Sequence, residues 1–219
     1  ADWGWLAART DPNVPKHKGL STFAIKMDTP GITVRPLVNM AGTHEFNEIF
    51  FEDVRVPAAN LVGEENRGWY NVAVGLDFER SSIGATSSSR RQVDDLVAHL
   101  RSRRAKVDRA IANRLVEEAI SVSLLRNMAY YIATAQEKTG IAPTRESQMA
   151  KLFGAELQQR IAATALQIFG MEGQAALPGS KAEPYQYALL RSVANTIEGG
   201  TSEIQRSVIA TRGLGLPGE

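Results

Sequence analysis

Ile197-Glu198-Gly199-Gly200-Thr201-Ser202-Glu203-Ile204-Gln205-Arg206 is the stretch on which the reading of this chain turns. Two adjacent glycines free the backbone for positive φ or for close approach, and Ser202 with Gln205 has the S-x-x-Q spacing of a capping box. That pattern reads as a loop running into a helix. A helix N-terminus behind glycines presents unpaired N–H groups and the positive end of a dipole, which suits a phosphate or another electron-rich group. A capped surface turn without a ligand has the same pattern, so the residues by themselves leave both readings open.

Upstream of this loop the apolar residues recur at three- and four-residue intervals. Over 145–169 the stripe is Met149, Phe153, Leu157, Ile161 and Ile168, and Gly170 with Gly173 stops it. Over 108–137 it is Ile111, Leu115, Val122, Leu125 and Ile132, closed by Thr139-Gly140 and Pro143. From Gly68 onward Val72, Leu76 and Ile83 fall on one face of a long helix, a short helix is expected near 185–193, and a last one begins at Ser202. Long helices joined by short links argue for an antiparallel bundle. Residues 1–62 have a different texture: β-branched and aromatic runs at 3–9, 22–27, 33–38 and 47–51 stand between the turn signals Asp11-Pro12, Lys18-Gly19 and Thr29-Pro30-Gly31, and Pro57 closes the last. The expected fold is α+β, with part of an antiparallel β-domain over 1–62 followed by an antiparallel four-helix-bundle-type all-α domain over 63–219.

With 219 residues, 43% of them hydrophobic and 22% charged, the chain can bury a substantial core. A net charge of +1 gives no general case for nucleic acid or membrane partners. Cysteine is absent, which excludes disulfides, thiolate nucleophiles and cysteine metal sites and is consistent with a cytoplasmic location.

Three blocks carry a resemblance. The decamer at 197–206 resembles the signature before the last helix of the acyl-CoA dehydrogenases. Phe51-Glu52-Asp53-Val54-Arg55-Val56-Pro57, followed by Asn60-Leu61-Val62-Gly63, is similar to the strand leaving that family's β-domain, and Leu76-Asp77-Phe78-Glu79-Arg80 to the first long helix of its C-terminal bundle. The three stand in the family's order and at roughly its spacing. Ala1-Asp2-Trp3-Gly4-Trp5 begins as if already inside a sheet, so the resemblance implies the C-terminal portion of a longer protein.

That resemblance implies flavin-dependent α,β-dehydrogenation of an acyl-CoA thioester, with FAD as cofactor. It also implies an electron-transfer flavoprotein or similar acceptor, and a homo-oligomer, dimer or dimer of dimers. Family members place the glutamate that removes the α-proton either directly before Gly-Thr in the loop or in the D-x-E-R segment of the first bundle helix. Here Gly199 occupies the loop position and Glu198 lies one residue too early, while Asp77-Phe78-Glu79-Arg80 matches the second placement, in the manner of the isovaleryl and long-chain types. Glu79 is therefore the expected base, with Arg80 shaping the site. Read by spacing alone, Glu79 projects from an apolar stripe, where a carboxylate is costly unless paired or used, so a helix-to-helix ion pair is the alternative.

The resemblance further implies that the Gly199 amide binds the thioester oxygen and that Glu198 lies at the substrate. Gly200, Thr201 and Glu203 are expected near the flavin, and Gln167, Ile168, Gly170 and Gly173 against the adenylate part of a neighbouring subunit's flavin. Arg206 and Arg212 are expected to serve the coenzyme A phosphates, since guanidinium binds phosphate bidentately. As bare residues, Gln167 is a solvated helix position, Gly170 a C-cap, and both arginines surface charges. One departure stands out: where many members carry Arg-x-x-Phe-Gly, this chain reads Val107-Asp108-Arg109-Ala110-Ile111-Ala112-Asn113-Arg114. A non-catalytic subunit of a heteromeric complex and an acyl-CoA oxidase-like flavoenzyme are the alternative functions.

Other signals fail on context. Gly213-x-Gly215-x-x-Gly218 has no helix after it and reads as a tail. The basic cluster Arg101, Arg103, Arg104, Lys106 and Arg109 lacks interleaved aromatics and reads as a solvated helix end rather than a nucleic-acid surface. His17, His44 and His99 have no metal-ligand spacing.

Overall fold

The computed structural model describes residues 1–79, 84–103, 107–175 and 177–218, with the side chains of 77–79 and 84–85 left aside. The chain divides into two compact units, Ala1–Asp77 and Phe78–Glu219.

In the first unit β1 (Trp3–Arg9) and β2 (Leu20–Lys26) pair antiparallel from Trp3 opposite Lys26 to Arg9 opposite Leu20, and the short β5 (Leu61–Val62) pairs with β2. Strands β3 (Ile32–Val38) and β4 (His44–Phe51) form a separate antiparallel ribbon, β4 starting earlier than its alternation predicts. Buried hydroxyls on β2 hold the unit together. Ser21 Oγ accepts from the Asn66 amide at 2.7 Å and lies 2.7 Å from Thr10 Oγ1, while Thr22 Oγ1 donates to Val62 O at 3.0 Å. Each would cost about 1–3 kcal/mol if buried without such a partner. Helix α1 (Gly68–Glu79) starts hard against this strand. A Cβ on Gly68 would sit 2.6 Å from the Ser21 carbonyl carbon, so glycine is what permits the approach.

The second unit holds α2 (Gly84–Arg103), α3 (Arg109–Thr139), α4 (Thr144–Phe169), α5 (Met171–Gln174), α6 (Glu183–Asn195) and α7 (Ser202–Val208), then a π-helical turn, Ile209–Gly213. The Asp108 carboxylate caps α3 by accepting from the Ala110 amide at 2.7 Å, and Gly140, at φ 70°, ends it. Its buried face is Leu115, Glu118, Val122, Leu125, Ala129 and Ile132, an unbroken alternation of three- and four-residue steps. Leu115, Val122 and Leu125 of that seam and Val93 and Leu96 of α2 join Leu157, Ile161, Ala165 and Phe169 of α4 and Tyr185 of α6 in one core. Burial of a side chain such as Leu157 or Ile161 contributes about 1.5–3 kcal/mol. Helix α4 is central, touching α2, α3, α5, α6, α7 and the π turn.

Glu118 is the exception in the seam. Its Oε1 accepts from Thr164 Oγ1 at 2.6 Å, Oε2 is buried without a partner, and burial raises its pKa above the usual carboxylate range.

Two features depart from the pattern-based expectation. The chain does not simply stop after Gly170 but folds back for one turn as α5, where a Cβ on Gly173 would lie 2.6 Å from Leu166 O. The first residue of the segment read as a tail, Gly213, is the last of the π turn and packs on the Arg145 side chain. Among the described residues no helix is long and apolar enough to cross a membrane, and no group of three or more His, Asp or Glu could hold a metal ion.

A glycine loop held from beneath

Helix α6 runs out at Asn195, and the amides of Ile197 and Glu198 both donate to Ala194 O, at 2.9 and 2.8 Å. Gly199 and Gly200 then take φ of 66° and 104°, a region that side chains with a Cβ rarely adopt. The Ser202 amide donates to Thr196 O at 3.0 Å and closes the loop.

The cap of α7 is Thr201 rather than Ser202. Thr201 is extended, and its Oγ1 accepts from the Ile204 amide at 3.2 Å. The capping box read from Ser202 and Gln205 is thus corrected: the hydroxyl one residue earlier reaches the helix amides, and Gln205 turns back under the glycines. Gln205 is 1% exposed; its Nε2 donates to Gly199 O at 3.0 Å and to Gly200 O at 3.2 Å. From α4, Lys151 Nζ also donates to Gly200 O. In a planar trans peptide the N–H points opposite to the C=O. With both carbonyls drawn toward Gln205 and Lys151, the amides of Gly200 and Thr201 face the other way, and neither has a hydrogen-bond partner among the described residues. Nothing in the residue pattern points to Lys151 in this role, because a contact 49 residues apart leaves no local spacing to read.

The other expected ligands of this loop are mostly engaged. The Glu198 carboxylate accepts from Arg191 Nη2 at 3.1 Å, and Arg191 Nη1 donates to Asn195 Oδ1 at 2.8 Å. Glu203 stays below the usual carboxylate range because its own backbone N–H and then the Thr201 hydroxyl favour the charged form. Arg206 pairs with Glu156 of α4 at 2.6 Å. Arg212, in the π turn, is exposed and has no partner among the described residues. The Glu79 side chain and all of Arg80 lie outside the described residues.

Gln167, Ile168, Gly170 and Gly173 gather elsewhere. At 1.5 Å per helical residue, Gln167 lies roughly 24 Å along α4 from Lys151. The two sets of expected flavin contacts are therefore not brought together within one chain. Gln167 is exposed, Ile168 half-buried, and Gly170 turns with open space on its Cβ side. Beside this end of α4 is a cleft of about 490 Å³ lined by His99, Phe169, Lys181 and Tyr185 among others. The His99 ring lies 4.4 Å from that of Phe169, with neither nitrogen hydrogen-bonded. Burial first, then Arg103 and Lys181, lowers its pKa.

A strand-built unit followed by a helical bundle with a glycine loop ahead of its last helix is the architecture of a flavin-dependent oxidoreductase class. The profile described as "Acyl-CoA dehydrogenase, C-terminal domain" matches residues 66–214. Acyl-CoA dehydrogenase IpdE1 of Mycobacterium tuberculosis is 34% identical over 221 residues, an alignment taking in 100% of this chain and 56% of that protein. The solved structure of Tcur3481-Tcur3483 steroid ACAD matches with a TM-score of 0.88 at 28% identity, covering 100% of this chain and 58% of that one. The ChsE4-ChsE5 complex from Mycobacterium tuberculosis matches with a TM-score of 0.81 at 28% identity, covering 100% and 58%. The chain belongs to the acyl-CoA dehydrogenase family, whose members use FAD as cofactor. It spans just over half the length of these relatives. Two unpartnered amides at a helix N-terminus are donors of the kind that an electron-rich oxygen of FAD or of a thioester accepts, so the residues present fit such a group.

Proposed function

We propose that this chain is the catalytic-loop portion of an FAD-dependent acyl-CoA dehydrogenase that desaturates the α,β bond of an acyl-CoA thioester, with Glu79 as the base. The observation that carries the assignment of the base is the state of the loop: Gly199 stands where most family members have a glutamate, and the neighbouring Glu198 is held by Arg191. That leaves the D-x-E-R carboxylate, Glu79, to remove the α-proton, with Arg80 beside it. The Gly199 amide stabilises the oxygen of the thioester as negative charge develops there. FAD, when bound, supplies the hydride acceptor for the β-carbon. Gly200, Thr201 and Glu203 lie on the flavin side of the loop, Gln167, Ile168, Gly170 and Gly173 serve the flavin of a neighbouring copy, and Arg212 offers a guanidinium for a coenzyme A phosphate.

The likeness to a steroid ACAD supports including a steroid-derived acyl-CoA among the substrates tried. In the flavin-loaded protein, Glu79→Gln abolishes flavin reduction by substrate in stopped-flow mixing, whereas Glu198→Ala leaves it. The reverse result would overturn the assignment of the base.

A second reading has an observation of its own. The ChsE4-ChsE5 relative is a complex of two proteins, and here both the loop glutamate and the Arg-x-x-Phe-Gly block are absent, as a subunit lending bundle surface to a flavin-bearing partner would allow. Stoichiometric flavin absorbance in the purified homomeric protein rules against it.

A further inference from the structure

Two adjacent glycines cannot hold a peptide direction by themselves, because glycine loses more backbone freedom on ordering than any other residue. Yet the carbonyls of Gly199 and Gly200 are both tied, and from two different helices: Gln205 of α7 reaches both, and Lys151 of α4 reaches the second. The contact is close along its length, since a Cβ on Gly199 would lie 3.7 Å from Lys151 Cε and one on Gly200 would lie 2.5 Å from Gln205 Nε2. Any side chain at Gly200 would push the amide of Gln205 out of place.

We infer that Lys151 and Gln205 are positioning residues that fix the amides of Gly200 and Thr201 as a donor pair for one electron-rich ligand oxygen. That the ligand is a thioester or the flavin rests on the dehydrogenase reading above; the orientation of the amides does not. The Thr201 hydroxyl does not substitute, because its oxygen accepts from the Ile204 amide and its proton is directed to the Glu203 carboxylate. Lys151 is the better residue to test: Gln205 is so deeply buried that its loss would disturb the fold, whereas Lys151 is half-buried and its aliphatic stem can be preserved.

The experiment compares wild type, Lys151→Met, Lys151→Arg and the shorter Lys151→Gln in the flavin-loaded protein. It reads the FAD dissociation constant, the charge-transfer absorbance with bound acetoacetyl-CoA, and the thermal midpoint. Losing a preorganised donor typically costs 10²- to 10³-fold in rate. If the donors serve the thioester oxygen, Lys151→Met loses about 10-fold or more of the charge-transfer absorbance while FAD affinity stays within about 3-fold. If they serve a flavin oxygen, FAD binds about 10-fold more weakly or worse and the absorbance per bound flavin is kept. In either case Lys151→Arg, which keeps a donor, recovers most of the loss. The inference is overturned if Lys151→Met and Lys151→Gln leave both quantities within about 3-fold of wild type. It is equally overturned if Lys151→Arg is as impaired as Lys151→Met and all variants melt lower together, the mark of a merely structural contact. A wild type that binds FAD but gives no charge-transfer band and is reduced by no acyl-CoA sinks the dehydrogenase reading, while the FAD-affinity arm still decides the role of Lys151.

Discussion

The two halves of α4 are built on different principles. From Leu157 to Phe169 the inward residues Leu157, Ile161, Ala165 and Phe169 are apolar and close-packed, with the polar pair of Thr164 and Glu118 set beside them. The first half instead buries Ser147 and Gln148, whose Oγ and Oε1 lack partners, and sends Lys151 to the glycine loop. The apolar half supplies stability through volume and shape, whereas the polar half supplies direction to a backbone that has none of its own. One helix therefore couples the core to the loop while keeping the chemistry of each apart.

Truncation in the apolar half gives the largest effect. Ile161→Ala is expected to cost about 2–5 kcal/mol in denaturant unfolding, since the side chain is fully buried and its truncation opens a cavity in the core. A similar loss from Lys151→Met would erase the contrast between the halves.

Crowding at the far end of the helix comes next. Gly173→Ala sets a methyl group against the Leu166 carbonyl, which belongs to backbone and cannot swing aside, so a loss of about 1–3 kcal/mol is expected, with α5 displaced from its fold-back. The thermal midpoint falls while FAD-independent helicity by circular dichroism changes little.

A pH dependence sharpens the comparison with the smallest effect. Glu118 is 4% exposed, and burial raises its pKa, opposed by the Thr164 hydroxyl, Arg160 and Arg114 and assisted by Glu117. A raised folded-state pKa means that the folded protein holds the proton more tightly than the unfolded chain. The stabilisation is complete below the usual glutamate value of 4.5 and is lost as pH rises through the higher folded value. Glu118→Gln mimics the protonated acid. Relative to this variant, wild type should lose on the order of 1 kcal/mol between acidic and neutral pH. Parallel stability curves across that range would show that folding leaves the proton affinity of Glu118 unchanged and would overturn the expected shift.

Much of this architecture was legible in residue spacing. The strand at 3–9 appears with those limits, the helix read over 145–169 begins one residue earlier at Thr144, and the last helix starts at Ser202 as its glycine-to-helix signature implies. Periodicity reports which face of an element is buried, and those elements are long or strongly punctuated. It does not report which polar group will turn back on its own loop. The S-x-x-Q spacing at Ser202 and Gln205 was real, but a threonine one residue upstream had the same capping chemistry and the better backbone angle. Lys151 sits between Met149 and Phe153 in a helix with every appearance of an ordinary amphipathic repeat, and Arg191 meets Glu198 across a helix end. α5 was hidden because Gly170 and Gly173 look like two stop signals, when the second glycine in fact makes room for one more turn.

The acid in the seam of α3 also acts as an alignment key. Apolar seams of repeated Leu, Val and Ala are nearly indifferent to sliding by one helical turn, about 5.4 Å. A shift of that size would carry Glu118 away from the Thr164 hydroxyl and leave its buried carboxyl without that hydrogen bond. The native offset between α3 and α4 is the one at which carboxyl and hydroxyl meet, so a polar pair gives the apolar seam a register of its own.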